Sequence, residues 1–374
     1  MTIKGTNSWL AFIYLGLTLF LTVFFVSFPS GNGYHNVYLG PAYLIYFYLI
    51  IALLLVVGSL TPFFIYLRYG KEPKISYDTK YEVDLPTDDP PAIVNAICGN
   101  SSKKVGTPDI DGFKATIMDL IDRNYLLLKD MGTDNKNLNS SCSIFLEINP
   151  NNDLTTLWDF EAEVLDFLKE YEQNGVISVE MISKSLTYHD AEFFKFTYEK
   201  WVDEVKQTLL ADGKLKEAFL RKGDKYLKIF GISGLIIAVV TIFFMVGDPV
   251  PTAYCASIAS IILGFSALIS ILMPEKIAGR WTPYGREYYA QWHSFKNYIK
   301  DYSLIKEYPP ESVNVWNSYL VYATALGDAK GVKKAMELSL PENMLSETDL
   351  YMFHYYSSPV TLLENTIKTA LEPD

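Results

Sequence analysis

The chain has 374 residues, 49% of them apolar and 15% aromatic, with a formal net charge of −11. That charge argues against a general affinity for nucleic acid or anionic head groups. The three cysteines, Cys98, Cys142 and Cys255, are widely separated and form no C-x-x-C pair, which excludes a disulfide framework and a structural zinc site.

The apolar excess is gathered into two hairpin-like stretches. In the first, covering 1–67, Trp9–Phe28 and Tyr43–Leu67 carry no charge and are long enough to cross a bilayer. A cleaved signal peptide is the alternative for the first run, with Lys4 as its basic flank. The run exceeds the usual apolar region of about 7–15 residues and no A-x-A-like site follows, so a span over about 9–28 is expected. Tyr43, Tyr46, Tyr48, Tyr66 and Trp9 lie near the ends of the runs, where amphipathic rings favour head-group level.

Residues 68–89 are charged and punctuated by proline, and read as an extended linker. PPAIVNAICGN then predicts a short helix opened by prolines and closed near Gly99. Asp109–Arg123 predicts a longer one with Phe113, Ile117, Leu120 and Ile121 on a single face. Tyr125–Lys129 and Ser143–Ile148 are strand-like. Two helices followed by a β-hairpin make 90–150 a winged-helix-like α+β domain. Such domains often place the second helix in the major groove. Here that helix carries Asp109, Asp111, Asp119 and Asp122 against Lys114 and Arg123, the wrong balance for phosphate, so protein contact is expected instead.

Residues 151–228 read as a helical domain. Phe160, Val164, Leu165, Phe167 and Leu168 form one amphipathic side, VEMISKSL follows the turn at Gly175, and Asp190–Leu210 is a long amphipathic helix. The basic run at 214–228 is either a lipid-binding patch or, more simply, the positive flank of a span.

The second hairpin, 229–273, comprises spans over about 229–246 and 253–273, split by GDPVPT. Gly231, Gly234 and Ala238 on one span, and Ala256, Ser260 and Gly264 on the other, form ridges of small residues. They predict close packing, with Ile262 on the lipid face. No span contains Asp, Glu, Lys, Arg or His, which argues against transport by this chain alone. Lys and Arg flank alternate ends of the spans and are absent from both short connections. The positive-inside rule then gives four spans with both termini and the polar mass in the cytoplasm.

After the last span, 274–340 reads as an aromatic-rich helical domain, and 341–374 as a tail of weaker periodicity. Thr282 and Pro283 open a helix with Tyr288, Trp292, Phe295 and Ile299 on one side. A further helix ends at Gly327 with Val313, Trp316, Leu320 and Ala323 on a face, and another begins at Asp328. Trp281, Tyr284, Tyr288, Trp292 and Trp316 are the candidate interface residues. At this spacing they serve as core or interfacial belt more readily than as a ligand cage. This domain is expected to dock on the 85–212 body.

TPYGREYYAQWHSFKNYI, VNVWNSYLVYATALG and the PPAIVNAI…IMDLIDRNYLLL stretch carry a resemblance. Over roughly 85–330 the chain resembles a family of predicted membrane proteins, domain of unknown function 2207. The resemblance implies a membrane and cytoplasmic part and no catalytic residues. Members typically carry an extracytoplasmic β-rich domain, for which only about a dozen residues are present between the first two runs.

No phosphate-binding, dinucleotide, zinc-protease or nucleophile-elbow motif occurs. His35, His189, His293 and His354 are isolated from one another. No catalytic, cofactor or metal residues are assigned. The fold class expected is an α-helical integral membrane protein, four spans in two hairpins, with a mainly α cytoplasmic part. The expected function is a non-enzymatic, multi-pass cell-membrane protein acting as an interaction or signalling platform. Its expected partners are the lipid bilayer and protein partners or its own copies, with no nucleic acid. An accessory subunit of an envelope or transport complex is the alternative, and a membrane enzyme with an unrecognised site the third.

Overall fold

The structure, a computed structural model, describes residues 42–99, 104–129, 145–188, 190–245, 248, 250–301, 304–305, 312–341, 344–345 and 350. The run at 9–28 and nearly all of the tail at 341–374 lie outside these residues. In chain order the first elements are α1 Ala42–Ser59, α2 Thr61–Ile65, α3 Pro91–Cys98 and α4 Ile110–Asp122. They are followed by β1 Leu126–Lys129, β2 Phe145–Ile148, α5 Asp159–Lys169, β3 Glu172–Gln173 and β4 Val176–Ser178. Next come α6 Val179–Tyr188, α7 Ala191–Ala211, α8 Lys214–Ala218, β5 Phe219–Leu220, α9 Lys222–Met245 and α10 Pro251–Leu272. The last are α11 Glu275–Ala278, β6 Arg280–Trp281, α12 Pro283–Lys300, α13 Val313–Ala325 and α14 Ala329–Ser339. The chain divides into two compact units, Met1–Ser76 with Glu217–Arg286, and Tyr77–Lys216 with Glu287–Asp374.

Among the described residues of the first unit, three helices are long and apolar enough to cross a membrane: Ala42–Gly70, Lys222–Met245 and Pro251–Leu272. The helix at Ala42–Gly70 is broken near Pro62, which has no N–H to give. The Phe63 amide bonds the Leu60 carbonyl at 3.1 Å, in place of the regular α-helical spacing. The Ser266 hydroxyl of α10 donates to the Ser59 carbonyl at 2.8 Å. In an apolar medium a backbone carbonyl beside a helix break is stabilised by such a donor. Helix α2 continues into a π-helical turn, Tyr66–Gly70.

Helix α10 packs against both α1 and α9. On the α1 side, Leu55, Ala259 and Leu263 form one buried cluster, and Tyr48, Val250 and Ala253 another. The Tyr48 hydroxyl donates to Asp248 at 2.6 Å. On the α9 side the approach is set by glycine. A methyl on Gly234 would sit 3.0 Å from the Ala267 Cβ, and one on Gly231 would overlap Ile271 and come within 2.9 Å of the Ala267 carbonyl. The small-residue packing expected for the second hairpin is therefore present, with its tightest point on α9. Ile262, expected to face lipid, is only 2% exposed. Between a helix on either side, α10 has little free face, and Phe265 and Leu268 occupy it.

In the second unit, strands pair antiparallel in the order β1-β2-β4-β3. The helix–helix–strand–strand order expected for 90–150 is present. The hairpin, however, is one half of a four-stranded sheet whose other half comes from 172–178, so the boundary at 150 falls inside the sheet. Helix α4 starts at the Asp109 cap, whose carboxylate accepts the Asp111 amide at 3.0 Å. It buries Phe113, Ala115, Ile117, Met118, Leu120 and Ile121. Helix α13 lies along α4 and α3, the expected docking of the C-terminal helices on this body. The last part of the linker has no regular structure, yet it is pinned. Ser294 donates to the Thr79 carbonyl at 2.6 Å, and Tyr319 donates to the Val83 carbonyl.

Candidate interaction surfaces

The five aromatic candidates separate by unit. In the first, Trp281 is buried on β6, edge-on to Phe219 of β5 at 5.0 Å, whereas Tyr284 is 47% exposed. In the second, Tyr288, Trp292 and Trp316 are buried. Trp292 stacks on Tyr322 at 5.1 Å and meets Phe295 edge-on at 5.7 Å. Four of the five thus fill the interior of their units, in the geometry that aromatic side chains favour in cores.

Tyr288 also belongs to a polar hub that the sequence did not reveal. Asp89, at the end of the linker, accepts the Tyr288 hydroxyl at 2.9 Å and the Thr87 hydroxyl at 3.0 Å on Oδ2. Its Oδ1 pairs with Lys214, whose pKa burial pushes down. The Asp89 carbonyl accepts the Tyr322 hydroxyl at 2.8 Å. Asn95 does similar work on α3. Its amide donates to Asp109 at 2.7 Å and to the Ala325 carbonyl at 2.8 Å, while its oxygen accepts the Asp109 amide at 2.8 Å. Both Asp89 oxygens are occupied, so the group is suited to holding segments together and not to moving a proton.

The four aspartates of α4 do not form one outward acidic face. Asp109 is the cap, and Asp111 pairs with Lys114 at 2.7 Å. Asp119 and the buried Glu161 share one nitrogen of Arg123, at 2.7 and 2.6 Å. One cation between two carboxylates leaves a charge uncompensated. Burial, reinforced by Glu161, pushes the Asp119 carboxyl up to about 6 against the pull of Arg123. Burial also raises Asp122, where hydrogen bonds from Asn317 and Ser318 of α13 oppose it. Helices α3, α5 and α13 all pack on α4.

Among the large apolar side chains that the second unit exposes are two neighbouring phenylalanines of α7. Phe193 and Phe196 lie one turn apart, 43% and 68% exposed, with Phe193 stacked on Phe167 of α5 at 6.2 Å. An open depression of about 410 Å³ is lined by Lys80, Tyr81, Asn297, Lys300 and Asp301. Its charges are already engaged: Asp301 accepts the Tyr81 hydroxyl at 3.1 Å, and Lys300 pairs with Asp328 at 3.3 Å. Among the described residues no three His, Cys, Asp or Glu side chains converge as a metal site.

Two features escaped sequence reasoning, and only one left a signal. Strands β3 and β4 are joined by Asn174-Gly175, both at positive φ, the dipeptide typical of tight hairpin turns. The Asp89 hub left none, because its partners lie far apart in the chain.

A family model described as predicted membrane protein (DUF2207) C-terminal domain matches residues 78–336. Nothing among the curated proteins or the solved structures matches the chain.

Proposed function

Since the chain belongs to the DUF2207 family of predicted membrane proteins, whose C-terminal domain it carries, we propose that it is a membrane-anchored, non-enzymatic platform for protein interaction. The observation that carries this reading is the pair Phe193 and Phe196. Two large apolar rings left on the outside of a body with ample core are what a protein contact site requires. In this reading 90–150 contributes a winged-helix-like core with a protein partner and no nucleic acid. The aromatic residues of α12 and α13 hold the body together.

The reading includes four spans in two hairpins, with both termini in the cytoplasm of a multi-pass cell-membrane protein. Support comes from the basic residues Arg68, Lys71, Lys74, Arg221, Lys222, Lys225, Lys228, Lys276 and Arg280, set at alternate ends of the apolar runs. In sealed cells, an impermeant thiol reagent should label a cysteine introduced at Asn32 and spare one at Asn139 or Asp374. Labelling of Asp374 from outside would refute the topology.

The interaction half is tested in native membranes with a photocrosslinking amino acid at Phe196 or, as a control, at Lys330 of α14. A discrete heavier species from Phe196 only, lost when Phe193 is also changed to Ala, is the expected result. Identical patterns from both positions would sink the assignment of this surface.

A further inference from the structure

We propose that the junction of the π-helical turn with the start of α9 is a binding site for an anionic phospholipid, with Arg68, Lys222 and Lys225 around its head group. Three observations carry it. The two helix ends are locked together: the Tyr69 and Tyr226 rings lie 5.1 Å apart, and Gly223 leaves just enough room for the Tyr69 Cβ. This fixes the cations beside those rings relative to one another. Arg68 is exposed, with its guanidinium 5.7 Å from the Tyr69 ring centre, and Lys222 and Lys225 are exposed on the first turn of α9.

The neighbouring acids are already spent. Glu275 pairs with Arg221 and Asp224 with Lys228, both at 2.6 Å, and no described residue forms an ion pair with Lys222 or Lys225. The excess positive charge at this corner contrasts with a chain whose net charge is −11. Finally, the face of α9 that carries Lys222 and Lys225 continues as an exposed apolar stripe through Tyr226, Ile229, Ile232, Ile236, Val240 and Phe243. Its spacing of three and four residues keeps it on one side of the helix. Cations at one end, a tyrosine at the boundary and apolar residues beyond match an acidic head group with its acyl chain. A free anion would use the first of these only. Juxtamembrane cations act additively on anionic lipid, so three acting together predict a preference of about tenfold or more over a zwitterionic lipid.

The test uses the full chain reconstituted in phosphatidylcholine vesicles doped with spin-labelled lipid. Spin-labelled phosphatidylglycerol should associate about tenfold more strongly than spin-labelled phosphatidylcholine, and the preference should fall as salt is raised. The triple variant Arg68→Gln, Lys222→Gln, Lys225→Gln should bring the ratio to about one. Lys222→Arg with Lys225→Arg should keep it, which guards against a folding defect. A control triple variant, Lys169→Gln, Lys195→Gln, Lys330→Gln, should also keep it. A ratio near one in the unaltered chain, or no loss in the first triple variant, would overturn the proposal. So would abolition of the preference by millimolar inorganic phosphate at constant ionic strength, since that would identify a site for the free anion.

Discussion

Replacing Gly231 by Ala should destabilise the membrane unit, and the same change at Gly264 should not. Both glycines lie on the facing sides of α9 and α10, so composition alone treats them alike. The geometry separates them. At Gly231 a methyl would overlap the Ile271 side chain and press on the Ala267 carbonyl at 2.9 Å. Ile271 can change rotamer, but the carbonyl belongs to a helix backbone and moves only with the helix. Forcing an extra methyl into such a contact costs about 1–3 kcal/mol. Alanine's better helix propensity returns up to about 1 kcal/mol, which leaves a net loss of up to about 2 kcal/mol. At Gly264 the methyl would meet the Ala238 Cβ at 3.5 Å, ordinary contact, so Gly264→Ala should be neutral or slightly stabilising. Phe265→Leu, on the free face of α10, serves as the lipid-facing control. The assay is reversible unfolding in mixed micelles followed by helix content, at a fixed ratio of denaturing to mild detergent. A loss of 1.4 kcal/mol is about tenfold in the folded-to-unfolded ratio and is readily resolved. Equal midpoints for Gly231→Ala and Gly264→Ala would refute the claim that a backbone contact sets the helix spacing.

Other expectations follow from single hydrogen bonds and one shared cation. Ser266→Ala should cost about 1 kcal/mol in the same micelle assay, because it strips the donor from the Ser59 carbonyl; no change would mean that another donor takes its place. Asn95→Ala should cost about 2–4 kcal/mol, since it removes one donor each from the Ala325 carbonyl and the Asp109 carboxylate and the acceptor of the Asp109 amide; limited proteolysis of α13 in the full chain would report it, and unaltered protection would count against the hub. Asp119 gives a pH prediction. Its folded value of about 6 lies above the ordinary 3.8, so the folded state holds the proton more tightly. The stability it contributes is complete below about pH 4 and is lost as pH rises through about 6, a change of about 3 kcal/mol. Asp119→Asn should therefore be the more stable protein at pH 7, with the difference vanishing near pH 4, and leaves Arg123 paired with Glu161. A difference independent of pH would refute the assignment.

Much of the second unit could be read from local chemistry. The prolines before α3, the Asp109 cap of α4, Thr282-Pro283 before α12 and Gly327 after α13 each mark a helix end by a preference that acts within a few residues. The docking of α13 on α4 was expected because the positive-inside rule puts both stretches on one side of the membrane. What stayed hidden depends on distance in the chain. Nothing near Asp89 announces that Tyr288 and Lys214 will meet it, and nothing in α10 says that Ile262 faces a neighbour when helices pack on both its sides. The short strands β3 and β4 fell between, signalled by Asn174-Gly175 but with too few residues to show alternation.

The stretches that tie this chain to its family are its packing surfaces. In PPAIVNAI the helix α3 is buried along its length, and Asn95 bonds both α4's cap and α13's end. In TPYGREYYAQWHSFKNYI, Gly285 has no room for a Cβ beside the Ala218 backbone, and Tyr288, Trp292, Phe295 and Tyr298 point inward. In VNVWNSYLVYATALG, Trp316, Leu320 and Tyr322 do the same. Residues buried in this way specify how helices meet and carry no information about what the surface binds. The exposed groups of interest lie outside these three stretches. Phe193 and Phe196 on α7 are exposed, Phe193 with one face on Phe167 and Phe196 more open. Arg68, Lys222 and Lys225 beside the apolar stripe of α9 are exposed as well. Substituting either group should leave the fold intact while removing a contact, whereas substituting Asn95 or Trp292 should do the reverse.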